Sequence, residues 1–474
     1  MFNRIKKFVF PKDKEVSRNV IRLAAPVIIS NLSRVLMSVV DVAMVGRLGA
    51  AALAATGMGA MLFWGALSFV LGIRTATQTV TSRRLGQKKY DECGIALRNG
   101  LLMALVYGLP MSFAGFKLAK YVVPFFISDT TAQHLCVEYS SVVYISLIFS
   151  SICFVFQGFF TGVEKTKIHM NVSITSNIIN VYLNAGLIYG SKGINEFFAG
   201  KSLGGLTYLW KWYDFPALGV KGAAIATLIA SIWMMLHYTF YLFKDEPRFK
   251  YKTLIPNFNM AMMKTQMKLA LPQSTQEVAI TIGWSMYYKI IGMIGLLELA
   301  TTELIFTIMH ASFMPALGVG QACATLVGKH MGEDNIKKAE TTIWESVRWA
   351  EAIMGTMGLI FFVFPELILS FFTNDPGVIR FGVFGLRVLG VIQVVDAIAI
   401  TLWMTLSGAG NTFFPAVVES LLVWFLLLPA SYLTGIMMGF GFYGPWLIFP
   451  IYLILESAIL LWKIKQGDWK HIQV

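Results

Sequence analysis

Displaced by 246 residues, the chain falls on itself. Leu23, Ala24 and Pro26 meet Leu269, Ala270 and Pro272, while Gly46, Gly49, Leu53 and Ala54 meet Gly292, Gly295, Leu299 and Ala300. Leu71, Gly72, Ala76 and Gly86 meet Leu317, Gly318, Ala322 and Gly332, and the register holds as far as Gly162/Gly408 and Thr166/Thr412. Proline and glycine mark bends and close helix approaches, so their recurrence is a recurrence of architecture. The chain is two copies of one half. Repeated halves in a membrane commonly enclose a cleft at their interface, where a substrate binds.

The solvent of that fold follows from composition. Apolar residues make up 56% of the 474 and charged residues only 14%, against roughly 25% in soluble domains; the mean hydropathy is +0.65. Apolar runs near 20–45, 53–80, 95–124, 138–161, 168–190 and 218–242 form one set. Runs near 270–294, 300–327, 346–373, 378–407, 412–438 and 441–463 form the second. Each is long enough to cross a bilayer, which takes about 20 residues. The expectation is an all-α integral membrane protein with twelve transmembrane helices in two pseudo-symmetric six-helix bundles.

With the N-terminus inside, the inner segments hold 25 Lys and Arg and the outer connectors 8. That bias puts both termini in the cytoplasm. The net charge of +13 is juxtamembrane charge and does not point to nucleic acid. Lys6, Lys7, Lys12 and Lys14 precede the first run as in a signal sequence, but no small-residue cleavage pattern ends it promptly, so it reads as a retained first helix. Cys93, Cys136, Cys153 and Cys323 are scattered, without metal or redox spacing. The expected division is an N-terminal lobe 1–243, a basic cytoplasmic linker 244–268 and a C-terminal lobe 269–474. Gly219 and Gly222 match Gly441 and Gly444 at a shift of 222, so about 24 residues were gained before span six. This outer insert, 191–217, is rich in glycine and aromatics and reads as an interfacial anchor, or alternatively a lid.

An ionisable residue inside an apolar span costs several kcal/mol unless paired or hydrated, which makes it a functional candidate. Asp41, Asp396 and Glu277 meet that criterion. Asn177, Asn180 and Asn184 share one helix face. Amide oxygens ligate hard cations, so Asp41, Asn180 and Asn184 form a candidate Na⁺ site; the alternative is interhelical hydrogen bonding. Arg34 stands two turns from Asp41 and either neutralises it or snorkels. Lys289 snorkels and His310 packs. Aromatics, Tyr287 among them, are candidates for cation–π contact with cargo. Gln393, Asn177 and Tyr287 complete the set as modulators. Pro26 and Pro272 weaken the ladders near the ends of spans one and seven and serve as hinges.

Val40-Asp41-Val42-Ala43-Met44-Val45-Gly46-Arg47-Leu48-Gly49, the Gly86-Gln87 turn, Gly219–Thr227 and Leu406–Thr412 together resemble the multidrug and toxic compound extrusion (MATE) transporters. The resemblance covers nearly the whole chain. It implies a central cleft and export of organic cations against inflowing Na⁺ or H⁺, by a monomer without cofactors in a bacterial inner membrane. In the NorM type, acidic residues of spans one, seven and ten are expected to bind ion and cargo; Asp41 and Asp396 match. Glu277 lies about a turn closer to its proline than that pattern expects. The DinF type pairs the first Asp with another in span five, where Asn184 stands here, so the chain resembles NorM more. A lipid-linked oligosaccharide flippase of the same superfamily is the alternative; its cleft would carry several cations, and here only Arg34 is clearly central. A membrane-embedded enzyme lacks any HExxH, Asp-rich or Ser/His constellation, and a channel lacks a filter loop.

Overall fold

The computed structural model describes residues 13–127, 129–198, 204–211 and 213–474. Twelve long helical segments account for most of them. The first six are α1 Lys14–Gly46, α2 Ala50–Gly86, α3 Tyr90–Phe126, α4 Thr130–Gly162, α5 Thr166–Phe198 and α6 Gly219–Leu242. The second six are α7 Met260–Ile294, α8 Leu296–Gly332, α9 Ile336–Val363, α10 Pro376–Ala409, α11 Phe413–Met437 and α12 Tyr443–Gln466. Ten are long and apolar enough to cross a membrane by length and composition. The two outside that set, α5 and α7, carry the asparagine stripe and Glu277.

The repeat reaches the helix caps. α1 and α7, α2 and α8, α3 and α9, and α4 and α10 each begin 246 residues apart. Asp13 and Asn259 cap α1 and α7 through side-chain oxygens, and Asp129 and Asp375 cap α4 and α10 in the same way. Such oxygens satisfy orphan N–H groups of the first turn and fix where a helix starts. The left-handed turn residues also pair: Lys88 with Asp334, and Glu164 with Gly410.

Two boundaries differ from the sequence reading. α7 starts at Met260, inside the 244–268 segment expected to be linker, because Asn259 caps it. Pro26 and Pro272 therefore sit about three turns inside continuous helices and not near their ends. Span nine was expected at 346–373, yet α9 ends at Val363, where Pro365 starts a separate short helix, Pro365–Ser370. The remaining connector folds onto the cytoplasmic end of α3. Arg98 donates to the carbonyls of Asn257 and Lys252 at 2.8 and 2.6 Å, and Asn99 to that of Asn259 at 2.9 Å. Lys165, hydrogen-bonded to Glu246, holds that carboxyl below the ordinary glutamate range.

Of the 191–217 insert, residues 199–203 and 212 lie outside the described residues. Gly190, at φ +71°, breaks α5. Trp210 then stacks on Tyr182 of α5 at 5.1 Å and donates to its carbonyl, so this part packs on protein while Tyr208 stays exposed.

The lobes meet through related pairs: α1 packs on α8, α2 on α7, and α2 on α8 across the axis. Glycines set the approach. A Cβ on Gly72 would fall 2.4 Å from the Ala270 carbonyl of α7; one on its repeat partner Gly318 would fall 2.6 Å from Ile28 of α1. On Gly86 and Gly332 it would meet the Lys329 and Arg83 carbonyls at 2.0 and 2.2 Å. Almost every residue of α2 from 72 to 86, and of α8 from 315 to 331, is buried, while their outer halves are substantially exposed. The lobes are thus closed at the cytoplasmic end and splayed outside.

Candidate functional site

α1 presents two faces. Leu32, Leu36 and Val39 are exposed on one; Arg34 and Asp41 lie on the opposite one, by the 100° step of the helix. Across from them, α5 offers its asparagines. Asn184 Nδ2 donates to Asp41 Oδ1 at 2.6 Å and to Asn180 Oδ1 at 2.9 Å. Both its donors are used, and its Oδ1 is buried with no hydrogen-bond partner. An orphan acceptor beside a carboxylate fits a cation or a proton-bearing donor, since an unpaired buried oxygen is costly. Asn177 donates to Ser33 Oγ at 2.7 Å and joins α5 to α1. The stripe therefore divides: Asn177 holds helices together, while Asn180 and Asn184 face the carboxylate. Arg34 does not pair with Asp41 here. It donates to Asn31 Oδ1 at 2.8 Å, and Asn31 Nδ2 donates to the Met314 carbonyl of α8 at 3.5 Å.

The C-terminal lobe holds more acid than the sequence reading assigned. Asp396 of α10 interacts electrostatically with Glu456 of α12 and Glu419 of α11, and Glu419 also feels Glu277 of α7. Asp396 and Glu456 are each 7% exposed. Gln276 Nε2 donates to Glu419 Oε2, while its own Oε1 is buried and unpartnered. Ser457 fixes α12 on α10 through the Val395 carbonyl at 2.8 Å, and Trp424 fixes α11 on α7 through that of Ala279 at 3.2 Å. Four carboxylates in an apolar lobe require compensating positive charge, as protons or a cation. Glu419 and Glu456 lie inside apolar runs, so the criterion that selects Asp41 selects them also.

Gln393, one turn before Asp396, donates to Ser312 Oγ at 2.9 Å and keeps an orphan Oε1. Tyr287 is fully buried among Trp284 and Phe306, 5.7 and 6.0 Å away, so it belongs to the aromatic core and not to a cargo surface. His310 binds the Phe306 carbonyl of its own helix. Arg74 of α2 was not singled out from sequence. It lies at the α2–α7 contact, within electrostatic reach of Glu277 and Arg34. Among the described residues no three His, Cys, Asp or Glu side chains converge as a metal site. A transported cation would be held by carboxylate and amide oxygens together.

The helices and their ionisable cleft define a two-lobed, multi-pass membrane protein with polar chemistry in both lobes. The chain belongs to the MatE family, whose pattern matches residues 26–185 and 278–433. It is 25% identical over 468 residues to the "Probable multidrug resistance protein NorM" of Thermotoga maritima, covering 98% of this chain and 96% of that one. Multidrug resistance protein NorM of Burkholderia vietnamiensis is 24% identical, with 93% and 92% covered. An outward-facing MATE transporter of the MOP superfamily superposes with a TM-score of 0.85 at 19% identity, covering 97% of each chain.

Proposed function

We propose that the protein is a secondary antiporter that exports organic cations from the cytoplasm in exchange for Na⁺ or H⁺, by alternating access of its two lobes. The observation that carries this is the placement of carboxylates beside orphan acceptors in both lobes: Asp41 with Asn184 Oδ1, and Glu419 with Gln276 Oε1. A carboxylate that attracts a cationic drug also binds the coupling ion. The two then compete, and exchange follows. The closed cytoplasmic end and splayed outer halves are one of the two states such a cycle needs. The NorM relatives are named for multidrug resistance, which supports this cargo class. The reading places the protein in the bacterial inner membrane, working as a monomer without a cofactor, with lobes 1–243 and 269–474 as the moving units. The flippase alternative gains Arg74, but the acidic groups still outnumber the two arginines. The test is drug export by Asp41→Asn and Asp396→Asn; full resistance retained by both overturns the reading.

A further inference from the structure

The cytoplasmic connector between α6 and α7 has two sides. Pro247, Tyr251 and Thr253 are buried on the inner one. Tyr251 sets its ring edge-on to Tyr90 and Phe159, at 6.2 and 5.9 Å, and its carbonyl fills the space that a Cβ on Gly94 of α3 would take. Thr253 Oγ1 donates to the Pro247 carbonyl at 3.1 Å, and the Arg98 guanidinium binds two connector carbonyls. The other side is apolar and open: Phe243, Phe249, Ile255 and Phe258 are 57, 64, 51 and 55% exposed. Because the inner side fixes the backbone, these side chains cannot fold away. A fixed apolar patch of this kind marks a contact surface.

The charge on the patch says what it meets. Lys250 and Lys252 are engaged by Glu246 and Asp91. Lys244 and Arg248 are exposed and form no ion pair among the described residues. The Arg248 N–H donates to the Lys244 carbonyl at 3.0 Å, so the two cations stand one turn apart on the continuation of α6. Both lie beside rings. Lys244 Nζ is 4.5 Å from that of Tyr241, and Arg248 Cζ is 5.1 Å from that of Phe249. Of the two nearby acids, Glu246 is held by Lys165 and Lys250, and Asp245 is exposed about 100° round the turn from Lys244. Exposed Trp233, Leu236 and Phe240, at i, i+3 and i+7, form a stripe on α6 that leads into the patch. On a membrane-spanning helix such a stripe faces acyl chains, so Lys244 and Arg248 stand where it reaches the headgroups. That continuity favours lipid over a soluble partner, and two uncompensated cations favour a lipid of net negative charge.

We propose that Lys244 and Arg248 form a binding site for an anionic phospholipid of the cytoplasmic leaflet, with Phe243 and Phe249 at the headgroup–acyl boundary around its phosphate. Headgroup binding there fastens the connector to the leaflet, and through the Asn259 cap it fastens the start of α7. The site lies apart from the cleft and stands whatever the cleft carries.

Phe249→Trp puts a fluorophore in the patch. The full chain is reconstituted in bilayers that contain either dibrominated phosphatidylglycerol or dibrominated phosphatidylcholine, whose bromines quench tryptophan on contact. The signal of the added Trp is its difference from the parent protein. Each cation near an anionic surface is worth about fivefold, so phosphatidylglycerol should be preferred by about 25-fold. Lys244→Gln and Arg248→Gln should each lower that preference about fivefold, and the double variant should abolish it. Both cations are exposed, so these variants should keep the parent's thermal stability. Should Phe249→Trp fail to fold, Phe243→Trp on the same patch supplies the reporter. Equal quenching by the two lipids, or a preference that survives the double substitution, overturns the site. So does an added Trp that neither lipid quenches but aqueous iodide does, which would assign the patch to a soluble partner.

Discussion

Breaking the cytoplasmic clamps should tip the protein toward its inward-open state. Lys329 Nζ reaches both carboxylate oxygens of Glu164 at 2.9 Å, joining α8 to the turn after α4. Its repeat partner Arg83 does the mirror task, donating to the Ala409 carbonyl at 2.9 Å and that of Ile472 at 3.3 Å. The side chains of Lys329 and Glu164 are 26% and 21% exposed. Exposed pairs contribute about 0.2–1 kcal/mol and breaking buried ones costs about 3–5, so this pair is worth about 1–2 kcal/mol. Opening the cytoplasmic end separates α2 from α8, so the loss falls on one side of the equilibrium only. About 1.4 kcal/mol is tenfold in population. Glu164→Gln should therefore raise the inward-open fraction about tenfold, and Arg83→Gln by a similar factor. The reporter is Ser82→Cys, which lies fully buried against Gly328 of α8. The four native cysteines are first replaced, and an impermeant maleimide is applied to inside-out vesicles. Labelling should quicken by the same factor. A rate within about twofold of the parent would refute the clamp, because that leaves less than about 0.4 kcal/mol for the pair.

Other outcomes follow from the same geometry. Asp41→Asn and Asp396→Asn should insert normally and lose drug export, as resistance assays will show. Asn184→Ala should weaken the response to an ion gradient more than drug binding. Asn184→Asp should strengthen ion dependence by adding a carboxylate beside Asp41. Gly86→Val should block closure of the cytoplasmic end, since even a Cβ falls 2.0 Å from the Lys329 carbonyl; fast labelling of Ser82→Cys and abolished transport are expected. Glu246, held low by Lys165, contributes stability that is present at neutral pH. That contribution is lost as the pH falls through its depressed value, below the ordinary glutamate value of about 4.3. The pair is 42% and 40% exposed, so Glu246→Gln should lower thermal stability by under about 1 kcal/mol at pH 7 and not at all once the wild-type carboxyl is protonated.

The architecture was legible because membranes allow few solutions. Apolar runs, charge bias and a fixed 246-residue register leave little but twelve helices in two related sets. The capping pairs Asp13/Asn259 and Asp129/Asp375 were present in the sequence as well, though helix ends show only when a cap is matched to its N–H groups. The site was partly legible. Asp41 and Asp396 stood out as lone charges, and the face of Asn180 and Asn184 follows from helical spacing. Which neighbour each residue meets did not follow. Arg34 has Asp41 on its own helix face yet bonds Asn31, because α8 brings the Met314 carbonyl beside that amide. Glu419 reaches the cleft group only because α11 packs on α7 at Ala279. Tyr287 looked like a lining residue, but the rotation of α7 turns it into the aromatic core.

Exchange requires that cargo and ion take turns in one cleft. Purified protein in proteoliposomes, with a Na⁺ or an H⁺ gradient imposed separately, tests it by following rhodamine 123. One gradient alone should drive the dye against its own gradient, opposite to the ion, and collapsing that gradient should stop the movement. Dye that moves at the same rate without either gradient, or in the direction of the ion, would contradict it.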